Sequence, residues 1–198
     1  MRDIIKPALT LFVVCLVVSL SLAFTYSATK GKIEEITRLD AEKAKKAVLT
    51  DIDAFYEIEG SSELIKSKPE FEPVKEIYAG KKGNAVAGYV FKTVTKGYGG
   101  AIEVIVGVDI HGKVTGIKMG SNNETPGLGS KASEGPFKSQ LVNIMPKEKL
   151  QVVKAKKTKV EEIEAISGAT ITSKAVVEAV QASLDVSKEL IKKEGGKK

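Results

Sequence analysis

Ile102-Glu103-Val104-Ile105-Val106-Gly107-Val108 and Val114-Thr115-Gly116-Ile117-Lys118-Met119, separated by Asp109-Ile110-His111-Gly112, decide the fold of the folded part of this chain. The first run alternates with period two, as a strand with one buried face must. An Asp and a Gly between two such runs supply turn chemistry, so the pair reads as an antiparallel hairpin. His111, the one histidine, then lies exposed in a turn and not in a site. Upstream, 75–79 and 85–93 read as a second strand pair around the turn Gly80-Lys81-Lys82-Gly83-Asn84. Downstream come a loop with Gly120, Pro126, Gly127 and Gly129, a short helix within 131–142 interrupted by Gly135-Pro136, and a strand at 150–153. From about Ser173 to Ile191, Val177, Val180, Leu184 and Ile191 form one helical stripe with Val176 beside it. Strands and helices mix without strict β-α-β alternation, which points to an α+β domain.

Before this domain lies a different kind of segment. Residues 8–28 carry no charge and are mostly Leu, Val, Ala and Phe. At 1.5 Å per residue such a helix is roughly 31 Å long, about the hydrocarbon thickness of a bilayer. A cleaved signal peptide would use Arg2 and Lys6 as its basic end and Ser21-Leu22-Ala23 or Ser27-Ala28 as its small-residue site. Its apolar region is usually about 7–15 residues, so length favours a single retained anchor over that alternative. Lysines flank both ends, and the basic-loop rule is nearly balanced. The six-residue leader is easily kept in the cytoplasm, which places the large domain on the extracytoplasmic side of the cell membrane. Ile33, Ile36, Leu39, Ala44, Ala47 and Val48 continue at helical spacing, before Gly60-Ser61-Ser62, Pro69 and Pro73 break the pattern. The expected organisation is therefore an anchor at 1–29, a helical connector and start of the domain at 30–74, the domain proper at 75–192, and a flexible basic tail at 193–198.

Composition narrows the chemistry. One cysteine, Cys15, lies within the anchor and excludes an internal disulfide; with a single histidine, no side-chain metal cluster is expected. The net charge of +6 is interspersed with acids, Lys154-Ala155-Lys156-Lys157-Thr158-Lys159 included in that solvated surface, and no aromatic-plus-basic ladder argues for nucleic acid. Reactivity must come from hydroxyls, backbone amides, carboxylates or a borrowed cofactor.

Three segments stand out. Lys96-Gly97-Tyr98-Gly99-Gly100 lets backbone approach a ligand closely beside a flat ring, or is simply a glycine-rich turn. Asn122-Asn123-Glu124-Thr125-Pro126-Gly127-Leu128-Gly129-Ser130 contains Pro-Gly at the centre of a type II turn, which would present Glu124, Thr125 and Leu128 to one side. Glu164-Ala165-Ile166-Ser167-Gly168-Ala169-Thr170-Ile171-Thr172-Ser173 precedes the last helix. There, either Ser167, Thr170 or Ser173 caps the helix, or free N–H groups and the Thr170 hydroxyl hold an anion. No general base stands near Thr170 in sequence, so a modification there would need another enzyme.

Taken in this order, the three segments resemble the FMN-binding domain of the G subunit of the Rnf complexes, with the same pattern in the related C subunit of sodium-pumping NADH:quinone reductase. The resemblance implies that Thr170 carries FMN through a phosphoester made from FAD by a separate flavin transferase. It makes Ser167, Gly168 and Ala169 the recognition frame, and Glu124, Thr125, Leu128, Gly129 and Tyr98 cofactor-binding residues. It further implies an electron carrier without independent turnover. Its partners would be the lipid bilayer and the other integral-membrane and redox subunits of a complex that couples ferredoxin and NAD to ion pumping. Two positions depart from the family pattern: Glu164 stands where Asp is usual, and Asn122 where His is frequent. A membrane-anchored binding or assembly module without a redox role is the alternative; it would use Ser-Gly-Ala-Thr only as a helix cap.

Overall fold

The computed structural model describes residues 2–83 and 85–195. Asn84 of the expected turn and 196–198 of the expected tail lie outside the described residues. The chain divides into two compact units, Met1–Lys43 and Ala44–Lys198. Helix α1 (Arg2–Val48) begins in the first and ends in the second.

Within the first unit α1 is, among the described residues, the one helix long and apolar enough to cross a membrane. Its hydroxyls are matched to an apolar setting: Thr10, Ser21, Thr25 and Thr29 each donate to the carbonyl four residues earlier, so none needs water. The exposed pairs Lys30–Glu34, Lys32–Glu35 and Lys43–Asp40 mark where the helix surface turns polar.

The second unit is built on a five-stranded antiparallel sheet in the order β1 (Ala54–Glu57), β2 (Val74–Lys82), β3 (Ala85–Lys96), β4 (Ala101–Asp109) and β5 (Val114–Met119). Helix α2 (Ser61–Lys66) and a 3-10 turn at Pro69–Phe71 link β1 to β2. After β5 come a 3-10 turn at Gly129–Ser133, the short α3 (Gly135–Lys138), the parallel pair β6 (Gln151–Val153) and β7 (Glu162–Glu164), and α4 (Thr170–Gly195). This is the expected α+β architecture, and the deciding hairpin forms as read: Val106 pairs with Ile117 and Val108 with Val114. Asp109 closes its turn by accepting the N–H groups of His111 and Lys113, which leaves His111 at the surface.

Alternation sorts the two faces. Ile102, Val104, Val106 and Val108 of β4, with Ile77 and Phe91, share one buried cluster with Val176, Val180 and Leu184 of α4. Each such side chain contributes about 1.5–3 kcal/mol on leaving water, so this burial is the main force holding α4 to the sheet. The opposite face is packed by residues at the end of α1: Ala44, Val48 and Leu49 cluster with Val90 and Ile105. Gly107 and Gly116 are cross-strand partners there, and a methyl on Gly107 would overlap the Val48 carbonyl oxygen. The Thr115 hydroxyl donates to that same carbonyl at 2.5 Å, satisfying an end-of-helix acceptor.

Several elements differ from the sequence expectation. β2 runs on to Lys82, because Lys81 and Lys82 stay in the ladder opposite Val86 and Ala85, and β3 runs on to Lys96, which pairs with Ala101 of β4. β1 carries no alternation of its own and is a strand because it pairs with β2. Gly135-Pro136 opens α3 where an interruption was expected; proline is tolerated at a first helical position. α4 begins at Thr170, ahead of Ser173, and continues to Gly195.

Candidate functional site

From β7 the chain passes through Ala165 to a tight turn in which the Ala169 N–H donates to the Ile166 carbonyl at 2.9 Å. Gly168 adopts φ +77°, where a side chain would be strained. The Ser173 N–H then donates to the Ala169 carbonyl at 3.0 Å, which makes Ala169 the capping position. None of Ser167, Thr170 and Ser173 is the cap. Ser173 instead staples the turn to the helix, donating to the Ala169 carbonyl at 2.9 Å and accepting the Ile166 N–H at 3.0 Å. With no side-chain oxygen at the cap, the N–H groups of Thr170, Ile171 and Thr172 have no acceptor among the described residues. They form an anion-binding end beside the half-buried Thr170, with exposed Ser167 and Gly168 leading into it and Ala169 buried.

The second segment is a turn as read, but it does not present Glu124 on the side of Thr125 and Leu128, because internal donors draw that carboxylate inward. Leu128 N–H donates to the Thr125 carbonyl at 3.1 Å with Gly127 at φ +76°, and Ser130 Oγ accepts the Gly127 N–H at 2.9 Å. Thr125 and Leu128 are exposed and Gly129 is buried. The loop meets the Ser-Gly-Ala-Thr turn directly: Leu128 Cδ2 lies 3.2 Å from where a β-carbon on Gly168 would stand. The third segment is the β3–β4 hairpin turn, closed by a 2.8 Å bond from Gly97 N–H to the Gly100 carbonyl, with the Tyr98 ring 73% exposed.

Glu124 joins all three. It is 7% exposed, and its carboxylate points into the protein. One oxygen accepts the Gly99 N–H at 2.9 Å and the other accepts the Thr172 hydroxyl at 2.5 Å. The glycine spacing follows from this: a β-carbon on Gly97 or Gly129 would run into the Glu124 carboxylate, and one on Gly99 into the Asn123 carbonyl. Asn122 makes a local turn, accepting the Glu124 N–H at 3.3 Å and donating to the Gly120 carbonyl at 3.0 Å. The exposed residues at this three-way junction are Tyr98, Thr125, Leu128 and Ile171, with Glu124 buried within it. Thr172 and Ile171 carry no signal of their own in the sequence. Their sides of the helix follow only once its first residue is known to be Thr170.

A family model described as FMN-binding domain matches residues 97–185, which takes in the second and third segments and the first from Gly97 on. The G subunit of the Na(+)-translocating ferredoxin:NAD(+) oxidoreductase complex of Acetobacterium woodii is 40% identical, covering 96% of this chain and 95% of that protein. The chain belongs to the G-subunit family of ion-translocating oxidoreductase complexes. A second relative, the G subunit of the proton-translocating ferredoxin:NAD(+) oxidoreductase complex of Clostridium ljungdahlii, is 34% identical over 88% of this chain and 86% of its own. Among solved structures, the C subunit of the Na(+)-translocating NADH-quinone reductase from Parabacteroides distasonis shares the fold, with a TM-score of 0.53 at 22% identity over 71% of this chain and 78% of that one. The chain is thus an FMN-binding, membrane-anchored component of a multisubunit redox complex.

The residues present suit FMN. Unpartnered N–H groups at the start of α4 match a phosphate, Gly168 and Ala169 put no bulky side chain directly before Thr170, and exposed Tyr98, Leu128 and Ile171 offer apolar surface to a flat ring.

Proposed function

We propose that this chain carries FMN covalently on Thr170 and relays electrons between neighbouring redox subunits of an ion-translocating ferredoxin:NAD-type complex. The observation that carries the reading is the start of α4, where a threonine hydroxyl stands among unpartnered N–H groups with only Gly168 and Ala169 before it. In the attachment, the Thr170 oxygen forms a bond to the FMN phosphorus of FAD, the pyrophosphate bond breaks, AMP leaves and the hydroxyl proton goes to solvent. Among the described residues, no histidine lies at Thr170 to take that proton, since His111 is in the distant β4–β5 turn; a separate FAD-dependent flavin transferase does this work. Ser167, Gly168 and Ala169 form the frame the transferase reads, with Glu164 in the position where the family usually has Asp.

Once attached, the isoalloxazine ring supplies the one- and two-electron chemistry. The chain's own residues hold the phosphate, seat the ring against Tyr98, Thr125, Leu128 and Ile171 with buried Glu124 and Gly129 behind them, and prevent loss of the cofactor by dilution. The helix anchors the protein in the cytoplasmic membrane lipid with the flavin domain on the extracytoplasmic side, where free flavin is scarce and attachment is most useful. Protease protection in sealed spheroplasts tests that placement: domain cleavage by external protease is expected, and full protection refutes it.

The main test is expression of the full chain with the transferase, followed by denaturing electrophoresis and peptide mapping. Flavin fluorescence should migrate with the chain and map to Thr170, and Thr170→Ala should lose it while remaining folded. Fluorescence surviving in Thr170→Ala overturns the site. A co-expressed chain whose intact mass is that of its residues alone favours the module without a redox role.

A further inference from the structure

We infer that Thr172 is a positioning residue for the flavin, holding both ring-side loops against the helix turn that bears Thr170 through its bond to Glu124. The inference rests on the Thr170 attachment reading and adds a residue to it. Glu124 is a buried carboxylate, and no basic side chain pairs with it among the described residues. Its two oxygens are met by one donor each, the Gly99 N–H and the Thr172 hydroxyl. Thr172 lies in the first turn of α4, so the helix end adds the favourable field that a cation would otherwise supply. A hydrogen bond to a charged acceptor is roughly twice as strong as a neutral one, and leaving a buried carboxylate oxygen unpaired is costly.

Connectivity makes this bond matter for the site. Gly99 adjoins Tyr98, Glu124 adjoins Thr125, and Thr172 is separated from Thr170 by Ile171 alone. Moving any corner of the clasp therefore moves an exposed residue of the proposed flavin seat. Nor is there slack to absorb a shift, because Gly97 and Gly129 lie against the same carboxylate with no room for a methyl. Glu124 thus acts from below, and Thr172 never touches the cofactor.

The test compares wild type, Thr172→Val and Thr172→Ser as full chains co-expressed with the transferase and purified in detergent. Covalent flavin is first verified by intact mass; a wild type without flavin, or a flavin retained in Thr170→Ala, sinks the attachment reading itself and is recognised before Thr172 is considered. Given attachment, the readouts are fluorescence anisotropy of the bound flavin and its midpoint potential. Thr172→Val should keep the flavin yet lose anisotropy toward that of a free flavin and move the potential, and Thr172→Ser should restore both. Anisotropy and potential unchanged in Thr172→Val, or a serine variant indistinguishable from the valine one, overturns the proposal. Thr172→Ala, which cannot crowd the carboxylate, replaces valine if that variant does not fold. If both variants without the hydroxyl misfold, the bond is a folding element and the positioning role is refuted.

Discussion

Gly107→Ala isolates the contact that seats the end of α1 on the sheet. Gly107 does not adopt a positive φ, so alanine is acceptable to the backbone and the destabilisation begins with a steric clash. The new methyl would overlap the Val48 carbonyl oxygen and lie 2.7 Å from both Thr115 Oγ1 and the Val48 carbonyl carbon. Overpacking of this kind costs about 1–3 kcal/mol. Displacing the Thr115 hydroxyl from the Val48 carbonyl adds about 1 kcal/mol, while replacing glycine within a strand returns roughly 0.5–1 kcal/mol. The balance is a loss of about 2 kcal/mol, which for a domain of this size lowers the melting temperature by about 4–8 °C. Thermal unfolding of the full chain in detergent, followed by circular dichroism in the sheet region, measures it. Gly116→Ala is the internal control: its β-carbon would stand 2.9 Å from Val48 Cα and 3.0 Å from the carbonyl oxygen, so its cost should be smaller. A Gly107→Ala protein that melts at or above wild type, or a Gly116→Ala protein that loses more, refutes this account of the docking.

Gly168→Ala forces a side chain into φ +77° and against Leu128, at a cost of about 1–2 kcal/mol. In-gel fluorescence should show severalfold less attached flavin while the circular dichroism spectrum is kept; undiminished labelling would remove Gly168 from the frame. The Glu76 carboxyl gives a pH signature. Burial opposes its ionisation, but hydrogen bonds from the Tyr78 hydroxyl and the Lys92 ammonium, with the Lys92 and Lys45 charges, hold it below its ordinary value of 4.5. A carboxyl depressed in the folded state stabilises at neutral pH, and that contribution is lost as pH falls below about 4.5 through the folded value. Denaturant midpoints between pH 7 and 3 should therefore fall less steeply in Glu76→Gln than in wild type; parallel profiles would show the cluster is not coupled to folding.

What could be read along the chain was whatever repeats within a few residues. Alternation over 102–108 announced a strand, the valine–leucine stripe after Ser173 announced α4, and the uncharged run at 8–28 announced the anchor. Pro126-Gly127 specified its own turn, and the three segments in order identified a flavin family. The resemblance singled out Thr170 as the proposed attachment oxygen, and the sequence around it offered only small residues before it and a helix after it.

Tertiary structure decided everything that depended on partners distant in sequence. β1 became a strand only through β2, and the cap of α4 fell to Ala169 because Ser173 turned back to the preceding loop. Glu124, whose side chain could have faced outward from its turn, is drawn inward by Gly99 25 residues before it and Thr172 48 residues after it. Residue type and spacing encode local backbone geometry and periodic burial. The direction of a carboxylate is set by which donors the folded chain brings within hydrogen-bond reach, and those donors come from a hairpin and a helix that meet only when the sheet and α4 close over their shared core.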